Sequence, residues 1–326
     1  MLTTDIIKRV REIQLRTGRD VSDVLAGKYS SVFKGSGLEF DEVRPYLPGD
    51  DVRTIDWNVT ARAGAPHVKR YVEERQLTMM LMADISASQD YGSVTRSKRE
   101  AAAELCALLA FSAIRNDDKV GMVLFHGEVE QYVPPRKGMR HALRVVREVI
   151  AAGSETATTE DTRRWWQMFT QWRNRNPLRR ARQRTDLRAA LDFFASVSKR
   201  RSVCFVVSDF LHNDDDADGV AFERALSMAN RRHDVIAVLL TDPAELSLPA
   251  TGMVTLKDAE SGAVRVVDTN SQAFRTHVEA RAQERVDDLE QRLGRAGIDF
   301  IHVNVAEPVI DPLIRFFKMR ERRARR

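Results

Sequence analysis

Two carboxylates and three hydroxyls stand where a parallel α/β sheet would offer them to one ion. Asp84, Ser86 and Ser88 occupy alternate positions in DISAS, directly after the apolar run TMMLMA. Asp209 closes the run SVCFVVSD, and Thr185 opens the helical stretch TDLRAAL. Ligand sites in open parallel sheets form beyond the carboxyl ends of strands, so polar residues just past apolar runs are the first candidates. All five side chains are hard oxygen donors. They suit Mg²⁺ first, with Mn²⁺ or Ca²⁺ as alternatives, and suit zinc poorly. Each residue also has a plainer role: Ser86 and Ser88 as helix N-caps, Asp209 as a turn residue after a strand. The full set at strand ends is what favours a metal site over these separate roles.

The elements that must position these residues can be read from periodicity. TMMLMAD, SVCFVVSD and DVIAVLLTD are short apolar runs ending in Asp, as expected of strands buried on both faces. VGMVLFHGEVEQYVP predicts a strand and a turn back. Helical spacing covers residues 95–116, 138–150, 217–231, 270–296 and 308–321, and IDFIHVNV is a last strand. MVTLKDAESGAVRVVD reads as a hairpin. Strands alternating with helices predict a doubly wound, mostly parallel sheet with helices on both faces. Residues 1–25 read as amphipathic helix, and residues 151–184 as a basic, Trp-rich insertion leading into Thr185. The expected division is 1–76 as helices and an accessory segment, 77–307 as the α/β domain, and 308–326 as a helix with a basic tail.

Composition sets the class. Of 326 residues, 43% are hydrophobic and 30% charged, enough apolar surface for a large core. No apolar run approaches the roughly 20 residues of a membrane span, and the first 20 residues lack the apolar region of a signal peptide. Cys106 and Cys204 both lie in apolar stretches, so buried reduced thiols are expected. These features predict a cytoplasmic protein. The net charge of +5 is concentrated in residues 179–184 and in RFFKMRERRARR at the end. Neither block carries an aromatic stacking pattern or a nucleic-acid motif, so no specific nucleic-acid partner is expected.

Asp84, Ser86, Ser88, Thr185 and Asp209 together resemble the metal-ion-dependent adhesion site of von Willebrand factor A domains, whose pattern is Asp-x-Ser-x-Ser, then Thr, then Asp. The resemblance implies an ion held partly through water, with an acidic side chain of a partner completing its coordination. Residues 35–75 carry a second resemblance. Phe40, Asp41, Arg44, Tyr46, Gly49, Asp50, Arg53, Ile55, Asp56, Trp57, Ala61, Arg62 and Glu74 match the signature of the bacterial family known as domain of unknown function 58. Ser208-Asp209-Phe210 and Asp242-Pro243-x-Glu245 look like that family as well. The resemblance implies a von Willebrand-type domain that works with a MoxR-type AAA+ ATPase as an adaptor in assembling or activating a client protein. Within the signature, Arg44, Arg53 and Arg62 are expected to pair with Asp41, Asp50 and Asp56, and Ile55 and Trp57 to plug a core.

An enzyme reading competes. A metal-dependent phosphohydrolase could use Asp84, but phosphotransferases of that pattern place a second carboxylate two residues on, where this chain has Ser86. No Gly-rich nucleotide loop and no Ser/His/Asp set is recognisable. A third reading, binding of an anionic surface by the basic tail, rests on charge alone. The expectation is therefore a binding protein, not an enzyme.

Overall fold

The computed structural model describes residues 38–73, 76–152, 186–211, 216–257 and 263–324, together with Tyr29 and Val32. The expected helices at 1–25, the insertion from residue 153 onward with Trp165, Trp166 and Trp172, and Thr185 itself lie outside the described residues. The chain forms two compact units, Phe33–Leu77 and the remainder.

In the smaller unit, β1 (Leu38–Pro45) pairs antiparallel with β2 (His67–Glu73), and α1 (Trp57–Ala63) lies between them in sequence. Asp56 caps α1 by accepting from the backbone N–H groups of Asn58 and Val59, at 2.9 and 3.2 Å. Gly64, at φ 71°, ends the helix in the left-handed conformation that glycine tolerates best. Arg44 grips Asp50 through both guanidinium branches, at 2.8 and 2.7 Å, one of the expected pairings. Asp56 pairs with Lys69 at 3.3 Å and, among the described residues, not with an arginine. Trp57 corrects a second expectation. It is 71% exposed, in the first turn of a short helix none of whose residues is buried.

The larger unit runs β3 (Thr78–Asp84), α2 (Lys98–Arg115), β4 (Lys119–Phe125), β5 (Val129–Arg136), α3 (Met139–Ala151), α4 (Leu187–Val197), β6 (Val203–Ser208), α5 (Asp216–Arg232), β7 (Asp234–Thr241) and α6 (Pro243–Leu246). It continues through a hairpin of β8 (Met253–Lys257) and β9 (Val264–Asp268), then α7 (Gln272–Arg295), β10 (Asp299–Asn304) and α8 (Ile310–Ala324). Six strands form one sheet in the order β10-β7-β6-β3-β4-β5. All neighbours are parallel except β5, which pairs antiparallel with β4. The architecture is α/β, with a mixed, mostly parallel sheet between helices.

Strand alternation divides the core. Met80, Met82, Val123, Phe125, Cys204, Val206, Ala237 and Leu239 pack with Leu191 and Phe194 of α4, Phe222 and Leu226 of α5, and Val286 and Leu293 of α7. The alternate residues, Met79, Leu81 and Ala83 among them, are equally buried and face the other layer. There α2 touches β3, β4, β7 and α3. It is apolar on nearly every side, as a helix enclosed by protein must be. The two cysteines are fully buried, and burial pushes the Cys106 thiol up to about 12, so neither is a ready nucleophile.

A capping box starts α2: Ser97 Oγ accepts from Glu100 N, and Glu100 Oε2 accepts from Ser97 N, each at 3.3 Å. Ser97→Ala is expected to cost about 1 kcal/mol in chemical denaturation; an unchanged midpoint would show that tertiary packing alone sets this helix start. At the far end of the chain, the basic tail is partly structural. Arg320 binds both oxygens of Asp234, at 2.6 and 2.7 Å, and also Asp299 at 2.6 Å, with only 15% of its side chain exposed. Its charge is spent on fastening α8 to the starts of β7 and β10.

Candidate metal centre

The chain moves outward from β3 to β5, then returns to lay β6 against the other side of β3. Strand order therefore reverses between β3 and β6, and connections leave their carboxyl ends in opposite directions. Such a switch point opens the crevice in which doubly wound sheets bind ligands. Asp84 is the last residue of β3, and Asp209 directly follows β6.

The side chains converge there. Asp84 is 2% exposed; Oδ1 accepts from Ser86 N at 2.8 Å and Oδ2 from Ser208 Oγ at 2.7 Å. Ser86 Oγ and Ser88 Oγ lie 3.0 Å apart, both buried. Burial, and then the neighbouring Asp209 carboxylate, push Asp84 up to about 6, against hydrogen bonds that pull it down. Phe210, at φ 49° and 6% exposed, turns the chain immediately after Asp209. A buried aromatic in the left-handed region is strained, and such strain gathers at functional sites. Beside Ser88, Gln89 is fully buried, and its amide has no hydrogen-bond partner among the described residues.

Four of the five expected ligands thus sit at one switch point. The fifth, Thr185, is outside the described residues; the next residue, Asp186, donates its N–H to His126 O at 2.9 Å just past β4 and then caps α4. Among the described residues no cluster of three His, Cys, Asp or Glu is placed to hold a metal. The donor set is instead a mixture of hydroxyl and carboxylate. It fits Mg²⁺ on two counts. Adjacent ligands of a Mg²⁺ octahedron with bonds of about 2.1 Å stand about 3.0 Å apart, close to the Ser86–Ser88 separation. A dication would also offset the burial and the neighbouring Asp209 charge that raise Asp84.

Sequence reasoning missed the rest of the polar cluster. Lys98, at the start of α2, is fully buried and donates to Asp209 Oδ2 at 2.8 Å and to Glu245 Oε1 at 2.5 Å. Asp242, beyond β7, accepts from Ser93 N at 2.8 Å and from Ser93 Oγ, tying the loop after β3 to that strand end. The signal was present: DVIAVLLTD also ends in Asp. Ser208 was visible too, as the residue before Asp209.

The chain belongs to the family described as protein of unknown function DUF58, whose model matches residues 42–288. Uncharacterized proteins of Mycobacterium bovis and Mycobacterium tuberculosis are each 29% identical to it over 315 residues, covering 97% of this chain and 90% of theirs. Among solved structures, the conserved hypothetical protein BatB from Bacteroides thetaiotaomicron is similar over 74% of this chain and 99% of its own, at 17% identity and a TM-score of 0.39. That likeness is too distant to bear on fold or function.

Proposed function

We propose that this protein is a metal-dependent protein-binding module with a von Willebrand factor A-like domain, and that Asp84, Ser86, Ser88, Thr185 and Asp209 hold its Mg²⁺. The observation that carries the proposal is the pair of buried hydroxyls, Ser86 and Ser88, 3.0 Å apart beside Asp84 at the switch point. The bound ion would supply an open coordination position for a carboxylate of an acidic client. Asp84 and Asp209, each hydrogen-bonded to protein N–H, O–H or ammonium groups, orient the site and balance its charge. In keeping with the family resemblance, the module acts as an adaptor for a MoxR-type AAA+ ATPase and catalyses no reaction of its own.

The test is calorimetric titration with Mg²⁺. Wild type should bind, and Ser86→Ala combined with Ser88→Ala should weaken binding at least tenfold without lowering the melting temperature. An AAA+ ATPase should co-purify with wild type in Mg²⁺, and be lost in chelator and in the double variant. Equal titrations would remove these hydroxyls from the site. Phosphatase turnover lost in Asp84→Ala would replace the adaptor with an enzyme.

A further inference from the structure

Lys98 breaks two local rules at once. A fully buried ammonium is costly unless it is paired, and the first turn of a helix repels positive charge. It pairs with two carboxylates from different strand ends: Asp209 after β6, and Glu245 in α6 after β7. Glu245 is itself fixed, its other oxygen accepting from Asp242 N at 3.0 Å. Local rules are broken with such specific compensation mostly where function requires it. One fixed cation therefore sits on the carboxylate assigned to the ion, at the edge of the candidate centre.

We propose that Lys98 is a resident cation of the metal centre: it holds Asp209 and Glu245 in place when the dication is absent, and its fixed charge weakens dication binding, so that a client carboxylate tightens the hold on the ion. This rests on the metal-site reading above. Two like charges near one carboxylate compete through a low-dielectric interior, where their repulsion is far larger than in water. Lys98 thus trades ion affinity for a site that is assembled before the ion arrives. It is a positioning residue: it is sealed from solvent and acts through Asp209.

Substitutions at the two ends of this bridge should act with opposite signs. Lys98→Met is expected to tighten Mg²⁺ binding at least tenfold by calorimetry. Its ion-free melting temperature should fall, and Mg²⁺ should raise it by a larger increment than in wild type. Glu245→Gln, which keeps shape and is partly exposed, leaves Lys98 wholly on Asp209 and should weaken Mg²⁺ several-fold while lowering ion-free melting, since a buried ammonium loses one of its two carboxylates. Lys98→Arg, which keeps the charge, should bind Mg²⁺ within about threefold of wild type. A merely structural lysine would give weaker or unchanged binding in Lys98→Met, and that result overturns the proposal. If Lys98→Met does not fold, Glu245→Gln decides: unchanged or tighter binding overturns it. Wild-type binding with no gain in Lys98→Met refutes the role of Lys98 alone, whereas no Mg²⁺ binding by wild type refutes the metal site and this role together.

Discussion

Asp84→Asn is expected to make the ion-free protein more stable and to make it useless for binding Mg²⁺. The carboxylate is charged at neutral pH although its surroundings raise it from 3.8 to about 6. Holding that charge costs on the order of 2–3 kcal/mol relative to the unfolded chain. Asparagine removes the charge and can keep the hydrogen bonds. Its amide oxygen can accept from Ser86 N, and its amide NH₂ can donate to Ser208 Oγ, which already accepts from Phe210 N at 3.0 Å. The melting temperature in chelator should rise by roughly 3–5 °C for a chain of this size. Mg²⁺ affinity should fall at least a hundredfold, since an anionic oxygen at the centre is lost. A gain in stability that accompanies a loss of function is the mark of a residue kept for its chemistry. Were Asp84 only a structural cap for the turn after β3, the variant would be neutral or less stable, and Mg²⁺ would be indifferent to it.

The sheet was legible because its strands are buried on both faces. TMMLMAD, SVCFVVSD and DVIAVLLTD have no alternation to mistake for a helix face, and each stops at an Asp. The antiparallel return of β5 was legible in the turn after VGMVLF. The strand order was not, because no local signal says that β6 returns to β3; that choice belongs to long-range packing. Asp84, Ser86, Ser88 and Asp209 could be named from strand ends alone, and they do meet. Lys98 could not. In RSKREAAAE it reads as one more charged residue before a helix, and only the fold reveals that it is sealed from solvent against two carboxylates. Trp57 erred in the opposite direction. A lone tryptophan among turn residues reads as a core plug, yet the small β1–α1–β2 unit leaves most of it exposed. Burial of a charge and exposure of an indole are both tertiary outcomes that composition does not foretell. Asp242 and Glu245 lie between these cases: their strand end was visible, but their link to the metal centre runs through Lys98.

The acid limb of ion binding should belong to Asp84. Mg²⁺ requires the carboxylate form, so affinity should be nearly flat above pH 7. It should then fall toward tenfold per pH unit below about 6. The ion-free protein should run the other way. The folded-state value lies above the unfolded 3.8, so between about pH 6 and 4 the folded chain binds more protons than the unfolded one, and the contribution of Asp84 to stability grows as pH falls through that window. Asp50 and Asp56 do not confuse this test. Arg44 holds Asp50 below its ordinary value, and backbone N–H groups with Lys69 do the same for Asp56. Their stabilisation is complete above about pH 4 and is lost only at lower pH. Melting temperatures measured from pH 5 to 7.5, with and without Mg²⁺, should therefore converge as pH drops through 6. In Asp84→Asn the convergence and the Asp84 part of the slope should vanish, leaving the opposing slope of His141, His233 and His302, whose imidazoles burial holds below their ordinary value. A Mg²⁺-induced shift that stays constant from pH 7.5 to 5 would place the ion somewhere other than Asp84.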